Sequence, residues 1–139
     1  MQINIAEVLA EVTAVFERYE RALVANDVDV LNALFWDSPL TLRYGTGEIQ
    51  YGCDAIRAYR NACPPVAPSR ILQRTVITTF GRDLATANTE FLPEPAAQRL
   101  GRQSQTWVRM PEGWRIVDAH VSWQEKGGRN NISNKEMLI

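Results

Sequence analysis

Residues 101–123, GRQSQTWVRMPEGWRIVDAHVSW, read as two long strands folded back on each other. Pro111-Glu112-Gly113 is the turn signal between residues 101–110 and residues 114–123. Side chains alternate along a strand, so each strand has two faces. In the second strand, Trp114, Ile116, Asp118, His120 and Ser122 share one face. Arg115, Val117, Ala119, Val121 and Trp123 share the other. Neither face is cleanly polar. A sheet covered on both sides gives that pattern, with helices on one face and a partner subunit on the other. The face that starts with Trp114 and Ile116 ends in His120 and Ser122, as expected of a strand running from a packed core into a polar pocket. In the first strand, Arg102 and Ser104 form one set, and Gln103, Gln105 and Trp107 the other. Alternation alone does not say which set faces inward.

Two further strands precede this pair. Residues 70–80, RILQRTVITTF, and residues 84–92, LATANTEFL, are joined by a turn at Gly81-Arg82-Asp83. Upstream, residues 39–45 and 48–51 form a short hairpin across Gly45-Thr46-Gly47. Between hairpin and long strands, residues 54–62 read as a helix that Pro64, Pro65 and Pro68 forbid from continuing. Residues 4–25 carry Ile5, Val8, Leu9, Val12, Phe16, Tyr19 and Leu23 at the period of one helix face. Asp27 is placed to cap a second, shorter helix carrying Val30, Leu31, Leu34 and Phe35. Helices first and a strand meander after is an α+β layout. Long twisted strands curl around the helix pair and leave a concavity between the layers, the default place for a ligand.

The chain has 139 residues, a length that suits one domain. We expect that domain over residues 1–124, with residues 125–139 as a fraying tail. The formal net charge of −1 and the scattered basic residues give no footprint for nucleic acid or an anionic membrane. The N-terminus lacks a basic n-region and a small-residue cleavage site, and no apolar run approaches membrane-spanning length. Cys53 and Cys63 bracket the third helix, about 15 Å apart along its axis. That is too far for a disulfide, so two ordinary thiols in a reducing, cytoplasmic setting are expected.

Four kinds of residue are candidates for chemistry. Arg43 is either half of a structural pair with Glu48 across the hairpin or a planar fork for a carboxylate. Tyr19 lies on the apolar stripe of the first helix. It is either a core residue with its hydroxyl tied to the backbone or a proton donor at the pocket edge. His120 is either a satisfied rim histidine or a ligand-binding group. Glu90 is either an inward carboxylate or solvated. No Walker loop, GxGxxG, HExxH or GxSxG occurs. With His120 the single histidine, no multi-histidine metal site can be built, and chemistry without metal or cofactor is expected.

The ending Gly113-Trp114-Arg115-Ile116-Val117 with His120-Val121-Ser122 resembles that of the SnoaL-like, ketosteroid-isomerase-like superfamily. Four stretches resemble its AtzH/HpxZ-like family more narrowly. They are Leu42-Arg43-Tyr44-Gly45, Thr75 to Gly81, Ala85 to Phe91, and Gly101 to Trp107. The resemblance spans about residues 4–124. It implies a cone-shaped α+β fold, a curved, mixed but mainly antiparallel sheet wrapped around the N-terminal helices. It implies a cytoplasmic, metal-free amidohydrolase with decarboxylating activity, converting 1,3-dicarboxyurea to allophanate in cyanuric acid catabolism. Tyr19 and Arg43 match the implied catalytic pair. His120, Ser122, Arg102 and Ser104 are the residues we expect to hold the rest of a small dianionic substrate. A homodimer or homotetramer is expected, as is a pathway association with an amidase. The alternatives are a role in oxalurate breakdown like that of the HpxZ-type relatives, or a non-catalytic partner of an amidase.

Overall fold

The computed structural model of the chain describes residues 1–125. Helix α1 spans Ala6–Ala25, and Asn26 in the left-handed region ends it. Helix α2 spans Val28–Leu34, and the Asp27 carboxylate accepts a hydrogen bond from the Val30 N–H, as its cap position required. A short hairpin follows, β1 (Leu42–Tyr44) and β2 (Ile49–Tyr51). Helix α3 spans Cys53–Ala62 and opens after Gly52, whose φ of 90° suits glycine. The remaining strands are β3 (Ile71–Phe80), β4 (Leu84–Leu92), β5 (Arg99–Met110) and β6 (Gly113–Glu125). Strand β6 thus extends two residues past the expected 114–123. Beyond Glu125, the tail expected over 125–139 lies outside the described residues.

The strands form one six-stranded sheet in the order β2-β1-β6-β5-β4-β3. All neighbours are antiparallel except β1 and β6, which run parallel, so the sheet is mixed. The first helix starts later than its apolar period suggests. Asn4 takes a φ of 56° and bonds β3 instead, its side-chain oxygen accepting from the Thr79 N–H at 2.8 Å. The concave face of the sheet holds the core. Val8, Val12, Phe16, Tyr19 and Leu23 of α1 and Leu31, Leu34 and Phe35 around α2 pack with Ile56 of α3, Trp107 of β5 and Ile116 of β6. Trp107 is completely buried. Its indole N–H donates to the Gln105 side-chain oxygen at 3.1 Å, which settles its polar group.

Strand β6 does not alternate as its sequence suggests. Thr106 faces Asp118 while the next residue, Trp107, faces Ile116, so Val117 is an extra residue in the ladder. This β-bulge flips the alternation. Trp114 and Ile116 are buried against the helices, and past the bulge Ala119 takes the inward place that Asp118 would have held. His120 and Ser122 pass to the outer face. Apolar residues from both sequence faces of this strand, Trp114 and Ile116 before the bulge and Ala119 after it, thus turn to one side.

Candidate functional site

Between the helices and the open end of the sheet lies a cavity of about 280 Å³. Tyr19 and Leu23 of α1, Arg43 of β1, Tyr59 and Arg60 of α3, and Gln103 and Gln105 of β5 line it. Pro64, Val66, Ala67 and Arg70 form another wall. Pro64, just past the end of α3, therefore shapes the cavity as well as stopping the helix.

Arg43 reaches inward because it pairs across the ladder with Gln50 on one side and the buried Ala119 on the other. Its Nη1 donates to Glu48 Oε1 at 2.7 Å and to Gln50 Oε1 at 3.0 Å. The pair with Glu48 expected across the hairpin is thus formed, yet Arg43 still lines the cavity. Both bonds use Nη1, so Nε and Nη2 have no protein acceptor among the described residues. The guanidinium lies 4.6 Å from the centre of the Tyr59 ring. Burial works against its charge, but the Glu48 hydrogen bond and the nearby Tyr19 and Tyr59 hydroxyls outweigh this and raise its pKa. Glu48 responds in the opposite sense. Burial opposes its ionisation, but Arg43 and the Gly47 N–H bring its pKa below the ordinary value. Gly45 makes this arrangement possible. A Cβ there would land in the Glu48 carboxylate and 2.8 Å from Arg43 Nη1.

Tyr19 is buried, its ring edge-on to Phe35 and Trp107 at 6.3 and 6.5 Å. It also lines the cavity that Arg43 lines. Behind them, Gln105 is held by Trp107, and its Nε2 is buried with no hydrogen-bond partner among the described residues. An unpaired buried amide donor at a cavity wall is set to meet an acceptor.

A second buried cluster lines the adjoining wall. Arg70 Nε donates to Glu20 Oε2 at 3.1 Å and its Nη2 to Gln103 Oε1 at 3.0 Å, while Gln103 Nε2 donates to Glu20 Oε1 at 3.0 Å. The guanidinium stacks on Phe91, 3.9 Å from the ring centre. This closed triangle satisfies its charges internally.

Of the remaining expected binding residues, His120 alone borders the cavity. Arg102 is exposed and donates through Nε to the Ser122 hydroxyl at 3.1 Å. Ser104 bonds Asn88 at 2.6 Å, again on the outer face. His120 borders the cavity, but it is exposed and its ring stands edge-on to Tyr44 at 5.6 Å. The Val117 bulge accounts for His120 and Ser122. Trp107 accounts for Arg102 and Ser104, because burying the indole turns Gln103 and Gln105 inward and their neighbours out. Glu90 also faces away from the cavity, bonded by Gln73 at 3.3 Å. Sequence reasoning did not single out Tyr59, Arg60 or Arg70 for the cavity, nor Glu20 behind it. The available signal for Gln103 and Gln105 was their shared alternation with Trp107.

The site can be compared with known proteins. The sequence pattern of the AtzH-like family matches residues 1–127. The chain belongs to the AtzH-like family. Among solved structures, a cystatin-like fold protein from Burkholderia xenovorans is 54% identical, with a TM-score of 0.86 over 90% of this chain and 98% of that one. A protein of unknown function from Pectobacterium atrosepticum is 56% identical, with a TM-score of 0.84 over 88% and 95%. A nuclear transport factor 2-like superfamily protein from Salmonella enterica shares the fold, with a TM-score of 0.64 at 24% identity over 86% and 92%. A search of curated proteins finds no match. The cone-shaped α+β architecture expected from the resemblance is therefore that of this chain. Among the described residues, no helix is long and apolar enough to cross a membrane.

Proposed function

We propose that this AtzH-like protein is a decarboxylating amidohydrolase that converts 1,3-dicarboxyurea to allophanate. The observation that carries the reading is one cavity lined by both Tyr19 and the partly unpaired Arg43 guanidinium. A small urea with a carboxylate on each nitrogen suits such a place. Arg43 Nε and Nη2 offer two parallel donors to one carboxylate. The unpartnered Gln105 Nε2 suits the urea carbonyl oxygen. The Tyr19 hydroxyl then serves the nitrogen that loses its carboxylate. The N–C bond breaks, its electron pair stays on nitrogen, and nitrogen takes the tyrosine proton as CO₂ leaves. Solvent returns the proton to the phenolate.

Purified protein mixed with freshly made 1,3-dicarboxyurea should produce allophanate and CO₂. Tyr19→Phe should lower kcat about 10²-fold or more, the scale of a lost general acid. Arg43→Ala should raise KM about 10- to 100-fold, the worth of a charge-assisted hydrogen-bond pair. Wild-type turnover that persists at full rate in both variants would remove the assignment. No turnover by the wild type, together with co-purification with an amidase, would make the protein an accessory instead.

A further inference from the structure

Among the described residues, three arginines line the cavity, and two of them have carboxylate partners. Arg43 is paired with Glu48 and Arg70 with Glu20. The third, Arg60, has none among the described residues. It sits in the last turn of α3 and is only 7% exposed. Its Nε is buried with no hydrogen-bond partner. Its Nη1 meets only the Cys63 sulfur, at 4.0 Å, a weak acceptor. The C-terminal end of α3 favours a cation there, but that is worth only about 0.3–1 kcal/mol at an ordinary site. Holding an unpaired charge away from water costs several kcal/mol per ion. Packing alone does not account for that cost, whereas a visiting anion does.

The position of Arg60 suggests which anion. Arg60 and Arg43 both approach the Tyr59 ring, at 5.9 and 4.6 Å from its centre. One aromatic side chain thus holds two guanidiniums at the same cavity, one with free donors and one with no counter-charge. We propose that Arg60 is the second anion anchor of this site, receiving the carboxylate that Arg43 does not hold, so that the cavity selects dianions over monoanions. This deepens the reading given above. A substrate with two carboxylates engages both arginines. A product that has lost one of them engages a single arginine and departs more readily.

Glutarate and butyrate test this without chemistry, since the carboxylates of glutarate are separated by the same number of backbone atoms as those of dicarboxyurea. The wild type should bind glutarate saturably, and about tenfold or more tighter than butyrate, by titration followed by NMR or calorimetry. Arg60→Met should weaken glutarate about tenfold or more and leave butyrate within about twofold. Arg60→Lys should recover part of the preference, and Arg60→Gln replaces the methionine variant if that one fails to fold. Equal losses for both acids, no loss for either, or no saturable glutarate binding by the wild type would each overturn the proposal. Failure of the hydrolase reading has a separate signature, namely absent dicarboxyurea turnover with the glutarate preference and its dependence on Arg60 intact.

Discussion

Glu48 is the residue through which pH reaches the site. Its carboxylate takes two donors, Arg43 Nη1 at 2.7 Å and the Gly47 N–H at 3.1 Å, and its folded pKa lies below the ordinary 4.5. A depressed carboxylate stabilises the fold above its unfolded pKa and loses that contribution as pH falls through the folded value. Between those values the unfolded chain binds more protons, so stability rises with pH there. Urea denaturation should therefore give a stability that falls as pH drops below about 4.5. In Glu48→Gln that decline should be shallower, because one depressed carboxyl is gone. An unchanged pH slope in the variant would detach Glu48 from the effect.

At the scale of the element, the bulge in β6 sets what the cavity contains. Val117 places Ala119 opposite Arg43 on the inward side, and leaves the exposed His120 edge-on to Tyr44 at the border of the cavity. Deleting Val117 should remove the bulge and restore plain alternation from Ile116 to Asp118, with Ala119 still on the inward side. The expected result is a variant that keeps its fold, measured by circular dichroism, and keeps its anion binding, because the inward set beyond the bulge is unchanged. Val117→Ala keeps the residue count and should retain both fold and binding. A deletion variant that folds but no longer binds glutarate would contradict this reading of the register.

The same bulge marks the limit of what strand alternation discloses. Helix periodicity, the Asp27 cap, the Pro64-Pro65 stop and the four long strands were legible, because each rests on local chemistry. Arg43 and Tyr19 could be named as candidates, but their convergence depends on the parallel pairing of β1 with β6, about 75 residues apart in sequence. Ser122 turns outward, and His120 borders the cavity from an exposed position, because a bulge inserts one residue without any glycine or proline to announce it. Arg60 was not singled out because its significance is the absence of a partner, which only three dimensions reveal.

At the scale of the whole molecule, Trp107 joins core to cavity. It is fully buried, packs edge-on against Tyr19, and holds Gln105 through its indole N–H. Trp107→Ala should cost about 3–5 kcal/mol of stability, the range for emptying a large core site. It should also disturb anion binding more than its distance from the charges suggests, because Tyr19 and Gln105 both lose their support. Trp107→Phe keeps the ring but not the N–H, and should recover most of the stability while leaving Gln105 loose. Paired urea denaturation and glutarate titration check both halves. A stability change below about 1 kcal/mol for the alanine variant would contradict the packing account.

The extra residue in β6 also has a meaning for descent. Point substitutions alter a cavity one side chain at a time, and each intermediate has to fold. Forming or losing the bulge with the residue count unchanged would instead exchange the whole inward set beyond it, Ala119, Val121 and Trp123 for Asp118, His120 and Ser122. Relatives on this cone can thereby differ in what lines their pockets while keeping nearly the same letters in the same order. Aligning such chains by letters alone would pair residues that face opposite ways.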